Sequence, residues 1–142
     1  MKKPICLLVF CIFSLTLPSF GSNVNASRYG YPLNTPSPPR LRYPITETVV
    51  LGSKDYLEFE WWSGFGLVDH YEFRLFKGYN MYVKDLIYKE IVPARVSSIN
   101  IKAEVFEDNQ VYTWSLIKVA LGGLKSDKSF NSFKVFKTIK EK

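Results

Sequence analysis

The chain predicts an all-β fold, a seven-stranded antiparallel β-sandwich, and three observations carry that prediction. Apolar residues recur at every second position over segment after segment, turn residues separate the segments, and no window sustains the 3.6-residue period of an amphipathic helix. Seven short strands separated by turn signals, in one stretch of about 100 residues with no internal repeat, point to a sandwich or a barrel, and the sandwich is the fold expected.

The N-terminus comes first and reads as an export signal. Lys2 and Lys3 supply a positive start, Ile5 to Leu17 is almost wholly apolar, and Val24 and Ala26 are placed for signal peptidase. Cleavage is expected between Ala26 and Ser27, which makes residues 1–26 a signal peptide and the product secreted, periplasmic or extracellular. The apolar run is shorter than the roughly 20 residues a spanning helix needs. No transmembrane segment is therefore expected after cleavage.

Removing 26 of 142 residues leaves 116, and without Lys2 and Lys3 the 19 basic residues become 17 against 13 acidic, a net charge of about +4. The excess is spread along the chain, so it gives no nucleic-acid patch. Cys6 and Cys11 leave with the signal, which excludes disulfides, thiol nucleophiles and cysteine-held metals in the product. Stability must then come from the core, and 16% aromatic residues supply it.

Residues 27–37 are rich in Pro, Gly, Ser and Asn and read as a flexible tether. The domain is expected over 38–137, with 138–142 a frayed tail. Leu41 to Leu51 suggests a first edge strand interrupted by Pro44, which an edge tolerates. Leu57, Phe59 and Trp61 alternate with polar neighbours, as do Tyr71, Phe73 and Leu75; Leu86 to Val92 is β-rich, and Ile99 and Ile101 continue the pattern. A polar corner at Glu107 to Gln110 precedes Val111 to Val119, a loop opens at Gly122 and Gly123, and Phe130 to Phe136 closes the set. The expected core combines these inward positions with Trp114, Leu116, Phe133 and Val135. Lys118 interrupts that inward phase, so it either reaches the rim or marks a bulge.

Four segments carry a family resemblance: "PPRLRYP" at Pro38 to Pro44, "LEFEWW" at Leu57 to Trp62, "YEFRLFKG" at Tyr71 to Gly78 and "FEDNQVYTWSL" at Phe106 to Leu116. Over about Pro38 to Lys137 the chain resembles the fibronectin type III domains, of immunoglobulin-like fold, in the form common on bacterial secreted proteins. The last segment looks like the family's tyrosine corner, with Phe106 six residues before Tyr112, whose hydroxyl should bond backbone near the turn. The resemblance implies adhesion or spacing, and function must still be sought in sites.

Chemistry is sparse. His70 is the only histidine, and as its neighbour in a strand Asp69 should face the other way, which argues against a catalytic relay. No metal-ligand spacing, P-loop or nucleophile elbow occurs, so no catalytic residue, cofactor or metal is expected. Glu58 and Glu60 on a flat solvated face lack the cleft a glycosidase needs. "LGGLKSDKS" at Leu121 to Ser129 reads as a hairpin loop, and the Asn25 triplet straddles the cut.

Two functions fit: a non-enzymatic module contacting protein at the cell envelope or outside the cell, or a carbohydrate-binding module with an aromatic platform. The candidate partner surface is a stripe of apolar residues left over from the core, Phe76, Ile117, Val119 and Phe136, extended by Tyr79, Met81 and Tyr82 in the adjoining turn. A bulge near Ile117 would instead turn the stripe into the core.

Overall fold

The computed structural model describes residues 35–63 and 66–137. The expected signal peptide, tether residues 27–34, the Asn25 triplet and the tail 138–142 lie outside the described residues.

Among the described residues eight strands form two sheets. These are β1 (Arg40–Tyr43), β2 (Thr48–Val50), β3 (Tyr56–Trp62), β4 (Val68–Lys77), β5 (Leu86–Pro93), β6 (Ser98–Lys102), β7 (Gln110–Ala120) and β8 (Ser129–Phe136). One sheet has the order β1-β3-β6, the other β2-β8-β7-β4-β5. Among the described residues the helical content is two single 3-10 turns, Val83–Asp85 and Ala103–Val105.

The count of seven and the purely antiparallel pairing are both corrected at Pro44. Its ring removes the N–H that β1 would need to go on pairing with β3. Its carbonyl instead accepts the Trp114 indole N–H (2.9 Å) and the Asn131 amide (3.2 Å), both from the other sheet. The chain crosses there without reversing. It therefore enters the second sheet as a separate strand, β2, parallel to β8, with Val49 opposite Val135.

All twelve expected core residues are buried. Phe59 sits at the centre, edge-on to Phe73 (5.1 Å), Trp114 (5.3 Å) and Phe133 (5.9 Å), the arrangement that ring quadrupoles favour. Trp61 meets Tyr71 edge-on, and its indole nitrogen is the buried side-chain donor without a partner among the described residues.

At one pole, the corner end, Asn109 takes a left-handed φ of 60° that turns the chain into β7, a conformation Asn tolerates better than most residues. Tyr112 is buried beside Phe106 (5.1 Å), and its hydroxyl accepts the Glu107 backbone N–H at 2.7 Å. Desolvation is the chief reason its phenol pKa is raised above 10.0. Tyr112→Phe should strand that N–H and lower stability by about 1 kcal/mol or more, read as an earlier urea midpoint, with partner binding unchanged. An unmoved midpoint would show that the bond contributes nothing.

Candidate functional site at the loop end

The expected stripe does not form. Phe76 is only 3% exposed and Val119 only 4%, so both leave the list of surface residues. Phe76 lies opposite Thr113 in β7 and Leu86 in β5, under a β4–β5 connection that the Gly78 N–H to Val111 carbonyl bond and the Thr113 hydroxyl to Gly78 carbonyl bond hold down. Val119 is covered by the loop after β7. That loop folds back along its own strand: Ala120 N–H reaches the Leu124 carbonyl, Ser126 N–H the Lys118 carbonyl, and Lys118 N–H the Ser126 hydroxyl, each at 2.9 Å.

The alternative of a bulge near Ile117 fails as well. The shift lies in β4, where Val68 pairs with Ala120 and His70 with Val119, leaving Asp69 as the extra residue. Lys118 thus keeps the inward phase of Trp114 and Leu116, opposite Tyr71. Ile117, Met81 and Phe136 are half-buried, the last with the Lys134 ammonium 5.3 Å from its ring centroid. Tyr79 and Tyr82 are exposed on the β4–β5 connection.

The same bulge corrects the reading of Asp69 and His70. Alternation would separate them, but the extra residue brings Asp69 Oδ2 to 2.7 Å from His70 Nδ1. No hydroxyl or thiol bonds to that imidazole among the described residues. The pair fixes the orientation of the ring.

The two exposed aromatics of β3 stand apart. Trp62 and Tyr56 share the outer face of β3, yet six residues of strand put about 20 Å between them. The Arg42 guanidinium lies 5.2 Å from the Trp62 ring centroid, covering one face of the surface a sugar would stack on, and Glu60 anchors that guanidinium at 3.3 Å.

On the outer face of the five-stranded sheet, Glu72 is held by Lys125 from the loop and by Arg74 at 3.2 Å. The hydrogen bond from Lys125 lowers the Glu72 pKa below 4.5, the largest of several causes. A depressed carboxyl adds stability that is present above its unfolded value and lost as pH falls through its folded one. With Lys125 more than half exposed, the effect should stay below about 1 kcal/mol. Urea unfolding below pH 4.5 should show a smaller acid-side loss for Glu72→Gln than for the unaltered chain, and equal losses would dismiss the pair as a stabilising contact.

Exposed leucines from two loops meet at the pole opposite the tyrosine corner. Leu67, before β4, is 77% exposed; Leu121 and Leu124, in the β7–β8 loop, are 63% and 48% exposed. The Leu121 N–H donates to the Leu67 carbonyl at 3.3 Å, which ties the two loops together. Gly123 makes the turn between the loop leucines, with φ of 80° and its N–H on the Ala120 carbonyl at 2.8 Å. Beside them is a concavity of about 290 Å³, lined by Pro36, Ser37, Gly66, Leu67, Val68, Lys118 and Ala120. Pro36 and Ser37, expected in the flexible tether, thus belong to the folded surface. The sequence did contain the signal: leucines flanking Gly122 and Gly123 in a loop that the core does not need.

A scan against protein-family models finds no match, and a search of curated proteins finds none either. Among solved structures, a β-sandwich protein from a computer-based redesign matches with a TM-score of 0.55 and 12% identity, over 72% of this chain and 98% of that one. Fibronectin(III)-like modules of Clostridium thermocellum CbhA match with a TM-score of 0.44 and 16% identity, over 70% and 95%. The first likeness shows the β-sandwich fold.

Proposed function

We propose that this chain is exported and works as a non-enzymatic binding module, holding a protein partner at its loop end. The observation that carries the reading is the set of exposed leucines, Leu67, Leu121 and Leu124, on two hydrogen-bonded loops at one pole of a rigid sandwich. Loops on a fixed scaffold are where binding residues concentrate, and clustered apolar side chains that the core does not use suit a dry contact with protein. Export rests on Lys2, Lys3 and the apolar run that follows them. The fibronectin type III affiliation rests on the spacing from Phe106 to Tyr112 and on the hydroxyl bond that Tyr112 makes.

The test compares the exported chain with Leu67→Ser/Leu121→Ser in a pull-down from its own envelope fraction, beside a polysaccharide retention gel. The unaltered chain should retain a defined protein, the double variant should lose it at an unchanged melting temperature, and neither should be slowed by polysaccharide. Retardation in the gel that disappears in Trp62→Ala would replace this reading with carbohydrate binding.

A further inference from the structure

We propose that the concavity at the loop end is a binding site for a carboxylate carried on a short apolar chain, with Lys118 as its counter-charge. Lys118 is 2% exposed, yet it stands on the inward face of β7 in line with Trp114 and Leu116. Its ammonium carries three donors. Among the described residues one of them is accounted for, by the Ser37 hydroxyl at 3.2 Å, and no carboxylate lies within ion-pair reach. Withdrawing a cation from water without an opposite charge is expensive, and a neutral hydroxyl offsets little of that cost.

The cavity beside it has the complementary shape and chemistry. Its volume of about 290 Å³ is bounded by Pro36, Leu67, Val68 and Ala120, apolar apart from Ser37 and Lys118. A ligand that fits has an apolar body of a few carbons for those walls and one anionic group for the ammonium. Two sources share that chemistry: the C-terminus of a polypeptide ending in an apolar residue, and a free short-chain carboxylic acid. The inference deepens the protein-docking reading where the source is a polypeptide, since Leu67 borders both the pocket and the exposed leucines. It does not need Leu121, which lies outside the pocket.

The experiment titrates the exported chain with N-acetyl-leucine, N-acetyl-leucinamide and hexanoate, following the Lys118 side-chain nitrogen and the Val68 amide by NMR. N-acetyl-leucine should give saturable shifts at both positions, and the amide, which lacks only the charge, should bind at least tenfold more weakly. Lys118→Met, which keeps the apolar stem, should abolish the difference between acid and amide. If that variant fails to fold, the Lys118 nitrogen shift in the unaltered chain decides alone. Tighter binding of N-acetyl-leucine than of hexanoate identifies a polypeptide terminus, and the reverse a free acid. Equal shifts from acid and amide, or no saturable shift, would overturn the proposal. Leu121→Ser separates the two readings: it should lose partner capture and keep acid binding, so a chain that captures protein but ignores every acid refutes the pocket alone.

Discussion

Trp114→Ala should cost about 3–5 kcal/mol, a large part of the 5–15 kcal/mol typical of a folded domain, and should leave a chain that barely folds at room temperature. The indole is fully buried against Phe59 (5.3 Å) and Phe73 (5.9 Å), so truncation opens a cavity between the two sheets. It also removes the donor that holds the Pro44 carbonyl where the first segment crosses between sheets. Trp114→Phe separates the two contributions. It keeps most of the ring and loses the bond, and because Asn131 still donates to Pro44 the loss should be near 1 kcal/mol. A urea titration showing both variants within 1 kcal/mol of the unaltered chain would mean that this ring is not the keystone of the core.

Val119→Lys should be nearly as damaging, on the order of 3 kcal/mol, because a long charged side chain would replace a buried valine beneath the returning loop. At roughly 4 °C per kcal/mol for a domain of this size, the melting temperature should fall by about 10 °C or more. Ile117→Lys is the control. Its side chain is half-buried on the same strand and face, where a lysine stem can lie along the surface with its head in water, so the melting temperature should move by only a few degrees. Similar small shifts in both variants would put Val119 outside the fold and restore it to a contact surface.

These two positions show what alternation conveys and what it leaves out. Leu57, Phe59 and Trp61, or Tyr71, Phe73 and Leu75, were legible as core because each strand has one face turned to the opposite sheet and the other to polar neighbours. The phase of Phe76 and Val119 was legible too. Their burial was not, since period two tells which side a residue takes and nothing of what later covers that side. The β4–β5 connection and the returning loop do the covering, through backbone bonds that leave no mark on apolar spacing. Lys118 is the converse case: its phase was inward from the start, and its charge argued for the rim or for a bulge, yet it is buried and in phase.

Pro44 could be read as an interruption, but nothing local says that the chain resumes in the other sheet. That choice is made by Trp114 and Asn131, which lie 70 and 87 residues further on. The meeting of Asp69 with His70 was hidden for a similar reason, as a bulge in β4 is a property of the pair of strands. The loop end was the most costly omission. "LGGLKSDKS" carries its turn residues plainly, and they drew the reading to a hairpin while the two leucines passed as incidental.

The parallel pairing of β2 with β8 also sets how the domain carries tension. Ser37 lies at the loop end against Lys118, while Lys137 lies at the corner end, its N–H on Asp108 at 2.8 Å. The 11 residues of β7 between those poles span about 35 Å. A pull on the two ends drags β2 toward one pole and β8 toward the other, along the strand axes. Their ladder, from Thr48 opposite Lys134 to Val50 opposite Phe136, is loaded in shear, with its bonds sharing the force together instead of opening one after another. Under such a pull the strand that Pro44 split off is loaded along its whole length at once.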